Sequence, residues 1–158
     1  YVIKPIAEGS SVGVFIVTEG HAHPPQELTR VDWAYGESVL CERYIPGKEL
    51  TCAVMGQEAL GVTEILPTVS FYDYEAKYAP GGSRHVVPAQ IKPNVYQLIR
   101  RLALRAHQAL GCRGVSRADF RYDERFGETD GVFCLEVNTQ PGGFGACRRA
   151  FSRCKRHH

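Results

Sequence analysis

Gly114-Val115-Ser116-Arg117-Ala118-Asp119-Phe120-Arg121-Tyr122 and Val132-Phe133-Cys134-Leu135-Glu136-Val137 read as two strands, joined by the acidic, glycine-containing turn Asp123 to Gly131. Residues two apart share one face of a strand. Asp119 alternates with Ala118 and Phe120, and Glu136 and Asn138 flank Val137, so one face can present two carboxylates and an amide, with Arg117 nearby. Clustered anions repel unless a cation sits among them. An all-oxygen set of carboxylates and an amide suits Mg²⁺, which binds one or two carboxylates plus substrate phosphates. The same pattern also suits polar residues that keep an edge strand soluble.

Working outward, Val95, Leu98, Ile99, Leu102, Ala106 and Ala109 recur at three and four residues. That spacing predicts a helix over Pro93 to Leu110, apolar face to the sheet, with Pro93 near its start and Gly111 just past its end. Thr68 to Ala89 is a long polar and aromatic loop, of a length often found in lids. Val39 to Tyr44, Glu49 to Met55 and Ala59 to Leu66, broken by Pro46-Gly47 and Gly56-Gln57, predict an antiparallel meander. A short helix is expected from Pro25, carrying Leu28, Val31 and Tyr35 and ended by Gly36, with Trp33 packing from it. Tyr1 to Lys4 and Val12 to Val17 read as strands around the loop Glu8-Gly9-Ser10-Ser11. These elements predict an α+β fold, largely antiparallel sheet with packed helices. Tyr1 already lies inside a strand-like run, so the chain is expected to begin mid-domain.

An apolar fraction of 44% in 158 residues is enough for a real core. No apolar run approaches the roughly 20 residues that span a bilayer, and Tyr1-Val2-Ile3-Lys4-Pro5 has no secretory pattern, so a cytoplasmic protein without membrane contact is expected. Cys41, Cys52, Cys112 and Cys134 lack paired metal or redox spacing and read as reduced packing residues. His85 and His107 read as surface or packing groups, and His21 and His23, without a third ligand, as loop residues.

Three further segments carry chemistry. Lys4 precedes Glu8-Gly9-Ser10-Ser11-Val12-Gly13, where small residues let backbone N–H groups approach an anion while the lysine supplies charge. This is either a phosphate cradle or a simple hairpin, and it is not a Walker loop, lacking the G-K-[S/T] ending. Glu42-Arg43-Tyr44-Ile45 followed by Glu49 offers a strand edge for a base and a carboxylate for ribose hydroxyls, or simply a charged solvent-facing strand. Phe71-Tyr72-Asp73-Tyr74-Glu75-Ala76-Lys77-Tyr78 could close over a small polar substrate.

Taken in order, Lys4-Pro5 with Glu8 to Gly13, then Phe71 to Tyr78, Arg117-Ala118-Asp119, and Glu136-Val137-Asn138-Thr139-Gln140-Pro141-Gly142 resemble the motifs of D-alanine-D-alanine ligases of the ATP-grasp type. The resemblance covers nearly all of residues 1 to 142 and implies the C-terminal, ATP-grasp portion of such a ligase. It implies that Lys4 and Lys77 contact ATP phosphates, that the backbone of Glu42, Arg43, Tyr44 and Ile45 takes adenine, and that Glu49 takes ribose. It implies that Asp119, Glu136 and Asn138 hold two Mg²⁺ ions, with Mn²⁺ as a substitute, and that Arg117 stabilises the transferred phosphoryl group. Ser10 and Tyr78 would position D-alanine and close the site. The resemblance also implies a homodimeric parent making a peptidoglycan precursor, with ATP and D-alanine as substrates and no nucleic acid.

After Gly142 the sequence departs from that family, whose Met-Thr and nearby serine are replaced by Gly143-Phe144-Gly145-Ala146-Cys147-Arg148-Arg149. Residues 143 to 158 carry five Lys and Arg and no acid, whereas residues 1 to 142 carry 14 against 17 acids. A frame-shifted tail is expected in preference to a zinc site built from Cys147, Cys154, His157 and His158 or a basic nucleic-acid contact.

Overall fold

Tyr1–Tyr44 and Ile45–His158 form two units in the computed structural model of the protein, which describes residues 1–8, 12–20, 25–67 and 83–139. In the first unit, β1 (Val2–Pro5) lies between β2 (Phe15–Ile16) and β3 (Val39–Glu42), antiparallel to both. The Tyr1 amine donates to the Val17 carbonyl and the Val17 N–H to the Tyr1 carbonyl, both at 2.8 Å, extending the β1–β2 ladder by one pair. Ile3 and Val17 are buried.

Two expectations fail in this unit. The segment after Pro25 makes only a 3-10 turn, Gln26–Thr29, and Val31 is fully exposed. Leu28 and Val31 therefore do not form a buried helical stripe. The Thr29 hydroxyl donates to the Gln26 carbonyl at 2.9 Å, a local alternative to helical bonding. Trp33 packs instead between Phe15 and Tyr35, with ring centroids 6.2 and 4.8 Å away, and its indole N–H donates to the Gly36 carbonyl. The second failure is the meander, because β3 joins β1 and takes no part in the next sheet.

The second unit is a five-stranded antiparallel sheet in the order β6 (Ser83–Val86), β5 (Glu58–Pro67), β4 (Lys48–Met55), β7 (Val115–Tyr122) and β8 (Val132–Asn138). β4 (Lys48–Met55) and β5 (Glu58–Pro67) form the expected hairpin. Part of the expected long loop is a strand, β6 (Ser83–Val86), paired with Glu64 to Pro67 of β5. Residues 68–82, with most of that loop, lie outside the described residues. Next come α1 (Pro93–Ala109), β7 (Val115–Tyr122) and β8 (Val132–Asn138), as periodicity predicts to within a residue.

The apolar face of α1 covers one face of this sheet. Val95, Ile99 and Ala103 cluster with Leu50, Cys52 and Val54 of β4, Val62 of β5, and Ala118, Phe120 and Tyr122 of β7. Each fully buried large apolar side chain is worth roughly 1.5–3 kcal/mol. Arg100 fastens the helix to β5 by two hydrogen bonds to the Ala59 carbonyl, at 3.1 and 2.7 Å, and the Tyr96 hydroxyl accepts from the Val62 N–H. His107 is a packing residue, buried with Nδ1 2.7 Å from the Ser116 hydroxyl. Cys52 is buried as expected, but Cys41 and Cys134 are exposed, so the packing role does not extend to them. Among the described residues, no helix is long and apolar enough to cross a membrane.

Candidate functional site

The sheet face opposite α1 holds the polar side chains. Along β7 burial alternates strictly, with Ser116, Ala118, Phe120 and Tyr122 buried and Arg117, Asp119 and Arg121 partly exposed between them. Cross-strand register sets three rows: Ala53, Arg117 and Asn138; Thr51, Asp119 and Glu136; Glu49, Arg121 and Phe133. The β7–β8 register shifts after Asp119, leaving Leu135 as an extra residue on β8. Because of that bulge Val132 and Val137, five apart, both pack against the core, while Glu136 and Asn138 come opposite Asp119 and Arg117. Bulges re-aim side chains in this way beside functional sites.

Asp119 and Glu136 are therefore directly opposed, an arrangement that destabilises a sheet unless compensated. Compensation comes from three neighbours. Arg117 grips Asp119 with both ends of its fork, Nε to Oδ1 at 2.9 Å and a terminal nitrogen to Oδ2 at 2.8 Å. The Asn138 amide donates to Asp119 at 3.1 Å and to Glu136 at 3.0 Å. Thr51, which the sequence reading passed over, donates from its hydroxyl to Asp119 Oδ1 at 2.6 Å. A polar residue alternating with the core-facing Leu50 and Cys52 was the available signal, but only pairing with β7 makes it Asp119's neighbour. Close by, partial desolvation of the sulfur, within a residue that is otherwise exposed, pushes the Cys134 thiol's pKa up, and the negative charges of Asp119 and Glu136 add to the shift.

Among the described residues, no three His, Cys, Asp or Glu side chains converge on one ion site. Two carboxylates converge with the Asn138 amide between them, its nitrogen turned toward both; carboxylates and an amide are the residue types that suit Mg²⁺ when phosphates complete the shell. The donor chemistry fits that ion.

At the other end of the same face, Glu49 lies opposite Arg121 across the β4–β7 ladder, with an ion-pair distance of 3.6 Å. Arg121 Nε also donates to the Ile45 carbonyl at 2.9 Å. Gly47, between these two positions, has φ +98° and lies so close to the Tyr122 carbonyl that a Cβ would collide with it. In the first unit, Lys4 on β1 pairs with Glu42 on β3 at 2.5 Å. Arg43 and Tyr44 line an open depression of about 510 Å³ with Tyr1, Val17, Thr18 and Glu19. Ser10, Lys77 and Tyr78 lie outside the described residues, as does the tail with Cys147, Cys154, His157 and His158.

The D-ala D-ala ligase C-terminus family matches residues 1–150. The chain belongs to this family. It is 68% identical over 143 residues to a D-alanine-D-alanine ligase from Chelativorans sp. strain BNC1, a match covering 90% of this chain and 46% of the relative. A D-alanine-D-alanine ligase from Rhodopseudomonas palustris strain BisA53 is also 68% identical, over 142 residues, with the same coverage. The chain thus spans about half the length of the curated relatives it matches. Among solved structures, D-alanine-D-alanine ligase from Bacillus anthracis complexed with ATP superposes with a TM-score of 0.68 at 26% identity, covering 98% of this chain and 48% of that one. VanG D-Ala:D-Ser ligase from Enterococcus faecalis gives a TM-score of 0.64 at 34% identity, covering 89% and 40%. These likenesses agree with the α+β, antiparallel ATP-grasp fold expected from the sequence.

Proposed function

We propose that this chain carries the ATP-handling part of a ligase that joins two D-alanines into D-alanyl-D-alanine through an acyl phosphate. The observation that carries the reading is the meeting of Asp119, Glu136 and Asn138 on one sheet face, with Arg117 alongside. The 68% identity to ligases named for D-alanine supports that substrate over the D-serine of the 34% identical relative. The ATP bound in the Bacillus anthracis structure supports the nucleotide.

In this reaction the carboxylate of one D-alanine attacks the γ-phosphorus of ATP and ADP leaves. The amine of the second D-alanine then attacks the acyl phosphate carbonyl, loses a proton, and expels inorganic phosphate. Asp119, Glu136 and Asn138 would hold Mg²⁺, two ions by family resemblance with Mn²⁺ as a substitute, and the metal would supply charge neutralisation for the phosphates. Arg117 presents a planar guanidinium to the same face, the shape that binds pairs of phosphoryl oxygens, and would steady charge on the transferred group and on the tetrahedral centre. Lys4, held by Glu42, and Lys77 would meet the phosphates; the backbone from Glu42 to Ile45 would take adenine and Glu49 the ribose. Ser10 and Tyr78 would place D-alanine and exclude water from the acyl phosphate. No covalent protein nucleophile is needed, and the protein's contribution is position and charge.

The same proposal includes a cytoplasmic peptidoglycan-precursor role, a homodimeric parent, and a family region ending at Gly142 with a frame-shifted 143–158 tail. The alignments to the relatives cover 90% of this chain, which leaves room for an unmatched tail, while the family match runs to residue 150. ADP release by the protein with Mg²⁺ and ATP, with and without D-alanine and with D-serine in parallel, tests the reading. A rise that needs D-alanine is expected of a ligase that carries this chain together with the half of the relatives' length it does not span, and no such rise of this chain alone. Nucleotide binding without such a rise from that longer ligase would leave a nucleotide-binding remnant, and a rise with D-serine alone would change the substrate.

A further inference from the structure

Arg121 belongs to none of the roles above, yet it touches both described residues of the second unit that the proposed function gives to the nucleoside. Its side chain is only 12% exposed. One nitrogen takes the Ile45 carbonyl at 2.9 Å, and another faces the Glu49 carboxylate at 3.6 Å. Pro46 has no N–H, so the Ile45–Pro46 peptide offers only that carbonyl, and Arg121 takes one of its two acceptor positions. At 3.6 Å the contact with Glu49 is an ion pair and not a hydrogen bond, so it orients the carboxylate by charge. The turn between the two residues is held as well, since Gly47 packs against the backbone of Tyr122 and Asp123 at the end of the strand that carries Arg121. Strand β7 thus meets the Ile45–Glu49 segment at each of its ends and in its middle.

We propose that Arg121 is the positioning residue of the nucleoside subsite, holding Ile45 and Glu49 in one fixed relation so that base and ribose are bound together. The inference rests on the nucleotide reading above. It concerns the nucleoside end alone, because the cluster around Asp119 has its own compensation in Arg117, Asn138 and Thr51. A planar fork can serve a carbonyl and a carboxylate at once, whereas a lysine is a point charge on a flexible stem. Lysine is therefore expected to restore the charge facing Glu49 and to lose the hold on Ile45.

Equilibrium binding of ATP, 2′,3′-dideoxy-ATP and inorganic tripolyphosphate, each with Mg²⁺, to the full chain and to Arg121→Met and Arg121→Lys tests this. Wild type should prefer ATP to the dideoxy analogue. Arg121→Met should weaken ATP about tenfold, the usual scale for a lost hydrogen bond to a charged group, and should erase most of that preference. Tripolyphosphate affinity should stay unchanged in both variants, and Arg121→Lys should fall between wild type and Arg121→Met. Equal weakening of ATP and tripolyphosphate would make Arg121 a phosphate contact or a general structural support, and an unchanged ATP preference would remove its role; either result overturns the proposal while the nucleotide reading stands. Should wild type bind no ATP, that reading falls and the Arg121 proposal with it.

Discussion

The two faces of strand β7 are built from alternate residues of one eight-residue stretch, and they obey opposite rules. On the α1 side Ala118, Phe120 and Tyr122 are almost wholly buried among apolar neighbours. On the other side Arg117, Asp119 and Arg121 sit among carboxylates, an amide and a hydroxyl. The first face stabilises the fold. The second carries opposed carboxylates that cost stability unless neighbours compensate them, and it is retained where such groups have a ligand to meet. One strand thus separates stability from chemistry at a period of two residues.

Substitutions on each face should separate the two quantities. Phe120→Ala should cost about 3–5 kcal/mol of folding stability, the range for deleting a buried aromatic, read as a lowered urea midpoint. If the midpoint hardly moves, the helix-side face is not the core. Asp119→Asn should leave the urea midpoint close to wild type and weaken Mg²⁺-dependent ATP binding by about a hundredfold, or ~3 kcal/mol. Metal-dependent binding that survives this change would remove Asp119 from the metal set. Smaller still, Thr51→Val keeps shape and removes the hydroxyl that donates to Asp119, so Mg²⁺ affinity should fall about tenfold, within the usual range for a supporting contact. Thr51→Ser should recover most of that loss; if serine is as impaired as valine, the threonine methyl matters through packing and not through its hydrogen bond.

The contrast also explains which parts of the molecule were legible. Strand β7, helix α1 and the β4–β5 hairpin carry long, regular periodicity, and each was read to within a residue or two. Where apolar residues are sparse the reading failed. The spacing of Leu28, Val31 and Tyr35 imitates a helix, but Val31 meets no core, and without a buried stripe so short a helix does not repay its nucleation. Val39 to Glu42 has the composition of a strand, but composition does not name its partner, and it pairs with β1. Ser83 to Val86 is too polar to signal a strand; backbone pairing with β5 makes it one.

Of the candidate site, the sequence by itself determined the residue types and their parity. Asp119 with Arg117, and Glu136 with Asn138, are two apart on strands, so covalent geometry alone puts each pair on one face. Only the tertiary structure decided that the two pairs meet. That depends on cross-strand register and on the extra residue at Leu135, which turns Glu136 toward Asp119 while Val132 and Val137 stay with the core. Thr51 and Arg121 lay outside the sequence reading for the same reason. Each reaches its partner across a strand pair joined by no short loop, Thr51 to a residue 68 positions away and Arg121 to one 76 away. Local pattern carries no information about such contacts, because packing of the whole sheet against α1 sets the register.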